Sequence, residues 1–193
     1  MRQLLFFSNN KNKIIEIKKI FKKCNFKILS LSDVNINDEP DESGQTFEEN
    51  AKIKSDYGFN KTGIPCFADD SGICLETLNW KPGVLSKNFL SNFQSNNDCF
   101  KSIIKSIKNN GKRNAYFKTS ISLTIKNDEN LIFNGKIYGE ISDHVKGEAG
   151  FGYDPIFIPK NYKKTLAELS TKEKNEISHR SIAVTKLINF LSN

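Results

Sequence analysis

Hydrophobic and polar positions change period several times along this chain, and each change marks an element. Gln3 to Phe7 is a short apolar run that reads as a strand and breaks at Ser8-Asn9-Asn10. Ile14, Ile17, Phe21 and Cys24 then recur at helical spacing. Phe26 to Leu29 reads as a second strand, and Ser32 to Gln45 as a polar, acidic loop. Thr46-Phe47-Glu48-Glu49 is a capping box, with Thr46 as N-cap and Glu49 at N3. It predicts a helix to about Asn60 that stops at Gly63-Ile64-Pro65. The run Ile64 to Ala68 has the composition of a buried strand, and Ile73 to Leu78 of another. Between them stands Asp69-Asp70-Ser71-Gly72.

Pro82-Gly83 marks a turn, followed by a loop to Asn97. Phe100, Ile103, Ile104 and Ile107 form the apolar face of a helix that ends at Gly111. Ala115, Phe117, Thr119, Ile121, Leu123 and Ile125 alternate without a break, as in a half-buried strand. Asn127 to Asn130 turn it back into Leu131 to Ile141, an antiparallel hairpin. Gly150 to Pro159 reads as a glycine- and aromatic-rich turn with a short strand. Ser170-Thr171-Lys172-Glu173 is a second capping box, and Val184, Leu187, Ile188 and Leu191 stripe a C-terminal helix. Alternating strands and helices followed by a long hairpin predict an α/β fold with a mixed, twisted sheet and flanking helices.

The 193 residues suffice for a single domain, 1–193, with or without two lobes. With 37% hydrophobic and 26% charged residues the composition is that of a globular protein. No apolar run approaches the ~20 residues of a membrane span. Leu4-Leu5-Phe6-Phe7 is too short for a signal peptide, so a cytoplasmic location is expected, with no membrane partner. Cys24, Cys66, Cys74 and Cys99 have no Cys-x-x-Cys spacing and read as structural thiols. The net charge of +7 is spread along the chain and not gathered into a stripe, which argues against a stable nucleic-acid partner.

Several segments carry candidate chemistry, each beside a plainer account. Two adjacent carboxylates at the end of a buried strand suit a hard cation, because Mg²⁺ takes one or two carboxylates plus substrate phosphates. An Asp-rich turn explains Asp69 and Asp70 equally well. If the strand continues through both, their side chains point to opposite faces. Ser8-Asn9-Asn10-Lys11-Asn12-Lys13 lies where a strand enters a helix, an anion site or an ordinary N-cap with exposed lysines. It lacks the glycines of a P-loop. Glu42 sits in a solvated acidic loop, and Lys54 shares a helix face with Asn50. Phe151-Gly152-Tyr153-Asp154 is able to stack a base and bond its edge, or simply to turn the chain with aromatics in the core. Lys174, Ser178, His179 and Arg180 form either a ligand-facing cluster or a surface basic patch.

Taken in order, these segments resemble the inosine/xanthosine triphosphate pyrophosphatase family. The matching pieces are Ser8-x-Asn10-x-x-Lys13, Thr46-Phe47-x-Glu49-Asn50-Ala51-x-x-Lys54, Ala68-Asp69-Asp70-Ser71-Gly72, Pro82-Gly83-Val84, Gly150-Phe151-Gly152-Tyr153-Asp154-Pro155 and Ser178-His179-Arg180. The resemblance implies a two-lobed α/β fold around a deep active-site cleft, usually as a homodimer. It implies Mg²⁺-dependent hydrolysis of ITP, dITP and XTP to the monophosphate and pyrophosphate. On this sequence it implies that Ser8, Asn9, Asn10, Lys11, Asn12, Lys13 and Lys54 grip the triphosphate. Asp70 would be the catalytic carboxylate and a metal ligand, with Glu42 as second metal contact and Ser71 touching the substrate. Phe151, Gly152, Tyr153, Asp154, Lys174, His179 and Arg180 would hold the nucleoside, with Asp69 shaping the turn. Two departures stand out: Ser86-Lys87-Asn88 replaces a usual Ser-Ala-Arg, and Ala149 replaces a usual glycine. The rival readings are a pyrophosphatase with another base preference and a basic nucleic-acid binder without catalysis.

Overall fold

The computed structural model describes residues 2–22, 24–126 and 129–192. Strands β1 (Arg2–Phe6), β2 (Phe26–Leu29), β3 (Cys66–Leu75), β4 (Lys81–Pro82), β5 (Asn114–Lys126), β6 (Glu129–Ile141) and β7 (Phe157–Pro159) form one mixed sheet in the order β2-β1-β3-β5-β6-β7, with β4 on β3. β1 pairs in parallel with β2 and β3, while β4 on β3 and β7 on β6 are antiparallel. Helices α1 (Lys11–Phe21), α2 (Phe47–Thr62), α3 (Ser86–Ser91), α4 (Asn96–Asn110), α5 (Thr171–Ile177) and α6 (His179–Ser192) complete the α/β architecture expected. The turn read at Asn127 to Asn130 lies partly outside the described residues.

The chain forms two compact units. The first comprises Met1–Asp70, Thr119–Gly135 and Arg180–Asn193; the second comprises Ser71–Lys118 and Lys136–His179. In the first, Leu4, Phe6, Ile17, Phe67, Ile121, Leu123, Val184 and Leu187 form one core, and Leu5, Phe7, Leu29, Cys66 and Ala68 another. Residues of β1 and β3 divide alternately between the two sets, Leu4, Phe6 and Phe67 in one and Leu5, Cys66 and Ala68 in the other, so the sheet is buried on both faces here, as parallel strands require. In the second unit, Ile73, Leu75, Phe100, Ile103, Ile107, Phe117, Ile141 and Phe157 pack together on one face.

Local signals set many of the boundaries. Asn10 caps α1, its Oδ1 accepting from the backbone N–H of Asn12 at 3.0 Å and of Lys13 at 3.2 Å. The Thr46 capping box opens α2, whose last helical residue is Thr62, and Gly63, in the left-handed region at φ 68°, closes it at the expected stop. Inside α2, Gly58 lets the helix lie close on the sheet. A Cβ there would stand 2.5 Å from Cys66 Sγ and 2.7 Å from Phe7 Cδ2. Gly58→Ala should therefore destabilise the fold by about 1–3 kcal/mol, overpacking outweighing a helix-propensity gain of about 1 kcal/mol. Urea melts read this directly, and a stabilised variant would contradict the close approach.

Other expectations are corrected. Cys24 lies beyond the end of α1 at Phe21. The segments expected as two strands about an Asp turn are one ten-residue strand through Asp69, Asp70, Ser71 and Gly72, and Glu76–Leu78 is a 3-10 turn. The loop expected up to Asn97 contains α3, and α4 begins at Asn96. β5 is not half-buried along its length, since Ser120, Ser122 and Thr124 are buried as well. The reason lies in α2: Ser55 Oγ is 2.8 Å from Ser122 Oγ and 2.9 Å from Thr124 Oγ1, so hydroxyl pairs satisfy this helix–sheet contact. Ala149 does not occur among the residues of positive φ, so alanine needs no unusual backbone there.

Candidate active site

β3 is the axis of the candidate chemistry in the first unit. Because strand side chains alternate, Asp69 and Asp70 leave the backbone on opposite faces and meet different partners. Asp69 is 1% exposed. It receives Lys13 Nζ at 3.0 Å and Arg180 Nε at 3.3 Å. Arg180, itself buried, also donates Nη1 to Glu16 Oε2 at 2.5 Å. Two cations and two carboxylates thus form a buried network that ties α1, β3 and α6 together. The turn role expected for Asp69 is replaced by this one: the strand does not turn, and a charge inside it is stable only when paired. The surface-patch account of Arg180 fails for the same reason.

Asp70 faces α2. Its Oδ2 accepts from Asn50 Nδ2 at 3.3 Å, and its Oδ1 lies 3.8 Å from Lys54 Nζ. Lys54 is buried, not solvent-facing, and donates to Glu42 Oε1 at 3.1 Å. One ammonium thus holds both candidate metal carboxylates. Burial raises the Asp70 carboxyl above its ordinary range; Lys54 and Lys13 pull it down, and the Glu42 charge pushes it further up. Burial lowers the Lys13 ammonium, against which Asp69 acts.

The loop before α1 is built for an anion in one respect and closed in another. Its helix N-terminus carries the favourable dipole, and Lys13 stands in the first turn. Ser8 is buried, with Oγ accepting from the Asn10 N–H at 3.2 Å, and the Asn10 side chain is the N-cap. Asn9, Lys11 and Asn12 are exposed.

The remaining candidates lie in the second unit, described by itself. Ser71 follows Asp70 on β3 and is partly exposed. Gly150 and Gly152 take φ 80° and 63°, shaping a tight turn, and a Cβ on Gly150 would stand 2.1 Å from Asp154 Oδ2. That oxygen accepts from the Phe151 N–H at 2.8 Å and from Lys174 Nζ at 2.7 Å. Lys174 Nζ also stands 4.8 Å over the Phe151 ring, so one ammonium fixes ring and carboxylate together. Tyr153 is buried and donates its hydroxyl to the Ser86 carbonyl at 2.8 Å, and burial raises its phenol. His179 stacks on Phe117 with centroids 4.7 Å apart and planes 8° from parallel. Tyr153 therefore serves the core as much as any ligand.

Two residues escaped the sequence-based site. Asn50 holds Asp70 and also accepts the Gly44 N–H on Oδ1 at 2.8 Å, linking Asp70 to the loop that carries Glu42. Its spacing from Lys54 was the available signal. Glu16 shares a helix face with Lys13, three residues on, but nothing local pairs it with Arg180.

Among the described residues, no three His, Cys, Asp or Glu side chains gather as a metal cage. Glu42 and Asp70, set on one ammonium, nevertheless fit Mg²⁺, which needs only one or two protein carboxylates when phosphates and water supply the rest.

The Ham1 family matches residues 4–190. This chain belongs to the Ham1 family. The dITP/XTP pyrophosphatase of Flavobacterium psychrophilum is 44% identical, over 99% of this chain and 100% of its own length. That of Christiangramia forsetii is 41% identical over 98% and 99%. Among solved structures, a HAM1 protein from Coxiella burnetii has a TM-score of 0.90 at 32% identity, covering 100% of this chain and 99% of that one. The Staphylococcus aureus Ham1 protein has a TM-score of 0.85 at 35% identity, covering 99% and 98%.

Proposed function

We propose that this Ham1-family chain, 1–193, is one catalytic domain that hydrolyses non-canonical purine nucleoside triphosphates (ITP, dITP and XTP) to the monophosphate and pyrophosphate. The observation that carries the reading is Asp70: a buried carboxylate, raised above its ordinary range, beside Lys54 and near a second carboxylate. The relatives named dITP/XTP pyrophosphatase support the substrate class.

In this reading Asp70 accepts the proton of the water that attacks the α-phosphorus, its burial making it a stronger base than an exposed aspartate. Glu42 and Asp70 would hold Mg²⁺, which when bound neutralises phosphate charge and polarises the reacting phosphoryl group. Lys54 and Lys13 stabilise the charge that develops on the phosphate oxygens. The backbone N–H groups and side chains of Ser8 to Asn12 orient the outer phosphates at the N-terminus of α1. Ser71 touches the substrate next to Asp70. Phe151, Gly152, Tyr153 and Asp154 receive the base and sugar, with Lys174, His179 and Arg180 as the donors that favour a 6-keto over a 6-amino purine. Burying an unmatched donor against an amino group is costly, so ATP is rejected without editing.

We further propose that the protein works in the cytoplasm, as a homodimer, without a nucleic-acid partner. All four cysteines are free thiols, as a reducing compartment keeps them, and no helix among the described residues is long and apolar enough to cross a membrane.

The test is pyrophosphate release from dITP, XTP, ITP and ATP, with Mg²⁺ and with EDTA. We expect Mg²⁺-dependent release from the three keto purines and at least about 100-fold lower kcat/KM with ATP, as a mismatched buried donor costs. Equal turnover of ATP, or preferred turnover of a pyrimidine, would replace the substrate assignment. Turnover in EDTA equal to that in Mg²⁺ would remove the metal.

A further inference from the structure

Lys54 stands in the seat that the proposed metal needs. Its Nζ lies 3.1 Å from Glu42 Oε1 and 3.8 Å from Asp70 Oδ1, and its side chain is 8% exposed. Neighbouring bonds fix that seat. Asn50, one helical turn before Lys54 on the same face of α2, donates Nδ2 to Asp70 Oδ2 at 3.3 Å and accepts the Gly44 N–H at 2.8 Å. The loop that carries Glu42 lies so close here that a Cβ on Gly44 would stand 2.6 Å from Asn50 Oδ1. Glu49 of the capping box pins the same loop one residue on, its Oε2 accepting the Gln45 N–H at 2.6 Å. Asp70 and the Glu42 loop are therefore tied to one helix, and the ammonium between the two carboxylates grows from that helix.

Two carboxylates set towards one point repel each other unless a cation stands between them. Here the ammonium of Lys54 is that cation. The same two carboxylates are the ones that fit Mg²⁺, and a divalent ion in a near-octahedral shell of oxygens leaves no place for an ammonium beside it. Both cannot hold the seat at once. The Glu42 side chain is 44% exposed, so the seat is open to solvent and exchange does not require the core to open. Lys13 is close enough that the charge of Lys54, after burial and the charge of Arg180, lowers its ammonium. An ammonium that leaves Asp70 towards Lys13 is therefore repelled until an anion comes between them. We propose that Lys54 is a tethered placeholder for the metal: it keeps free Mg²⁺ out of the seat and leaves for the phosphate oxygens when cation and triphosphate arrive together. Metal and triphosphate then bind with positive coupling, each raising the affinity for the other. This rests on the metal and substrate reading above, and the exchange is what it adds.

Calorimetric titration of Mg²⁺ into the full chain without nucleotide tests it, with circular dichroism confirming that each variant is folded. Lys54→Met removes the charge at nearly the same side-chain length and should bind Mg²⁺ at least about fivefold more tightly than the wild type, the lower end of a coupling between sites. Lys13→Met removes the same charge from beside Asp69 and should gain less, because its ammonium bonds Asp69 and not the metal carboxylates. Unchanged or weaker binding by Lys54→Met overturns the exchange, and an equal gain from Lys13→Met overturns it in favour of the general field of the site. Acetylation by acetic anhydride, read by mass spectrometry, tests the wild type without any substitution. Lys54 should react faster in saturating Mg²⁺ than in EDTA, and an equal or slower reaction means that the ammonium never leaves. Should neither the wild type nor Lys54→Met bind Mg²⁺, the metal reading falls and the exchange with it.

Discussion

Replacing Asp70 by Asn should reduce dITP turnover by on the order of 10³-fold and leave the fold at least as stable as before. The first half follows from the proposed role of Asp70 as proton acceptor, since an amide cannot take a proton at neutral pH. The second half follows from its environment. Burial raises its carboxyl in the folded protein despite Lys54 and Lys13, so the ionised form is held at a cost. A group whose folded pKa lies above its unfolded value contributes stability below the unfolded value and loses it as pH rises through the folded one. At neutral pH the wild type has lost that contribution, whereas the Asn variant carries no charge to penalise. Its melting temperature, measured in EDTA so that no cation is bound, should equal or exceed that of the wild type near pH 7. The difference should shrink as acid protonates Asp70. A variant that melts well below the wild type at neutral pH would make Asp70 a structural ion pair. One that keeps most of its turnover would move catalysis elsewhere.

The companion substitution Asp69→Asn sharpens the contrast, and it shows where the chain's local pattern stops being informative. N-caps, capping boxes and closing glycines are local chemistry, so Asn10, Thr46, Gly63 and Gly111 mark their boundaries within a few residues of where the helices begin and end. The alternation along β5 was equally legible, because each apolar residue needs the same face. The buried Ser120, Ser122 and Thr124 were not, since α2, whose Ser55 bonds two of them, lies some seventy residues away along the chain. The Asp pair failed for the same reason in a stronger form. Two adjacent carboxylates look like a turn when their neighbours in sequence are the only partners considered. Their partners are Lys13 and Arg180 for one, and Asn50 and Lys54 for the other, and these arrive from three helices. The opposed directions of the two side chains were legible once the strand was taken to continue; that it does continue was not. For the second unit, motif resemblance named Asp154 and Lys174, but the ion pair between them is a tertiary fact.

Arg180→Ala should lower stability by about 3–5 kcal/mol, the cost of stranding buried charge, and the melting temperature by roughly 6–20 °C for a chain of this size. The guanidinium is the hinge of the four-residue network: it bonds Asp69, whose side chain is fully buried, and Glu16, whose side chain is 15% exposed. Its own charge is secure, because the two carboxylates outweigh the burial that opposes it. Once it is removed, Asp69 keeps Lys13 and loses the guanidinium, and Glu16 loses its bond to Arg180 Nη1. Lys13 is also a proposed phosphate contact, so tighter capture by Asp69 should raise KM for dITP in whatever fraction remains folded. The ITP-to-ATP ratio in that fraction separates the two roles given to Arg180. A changed ratio supports a donor aimed at the base; an unchanged ratio with a large stability loss leaves Arg180 as the anchor of α6 on β3. A double-mutant cycle with Asp69→Asn then isolates the pair. We expect the two single losses to exceed the double loss by about 0.5–3 kcal/mol, as contacting residues in one network do. Strict additivity, or a melting temperature within about 3 °C of wild type for Arg180→Ala, would mean that water or other groups already carry these charges.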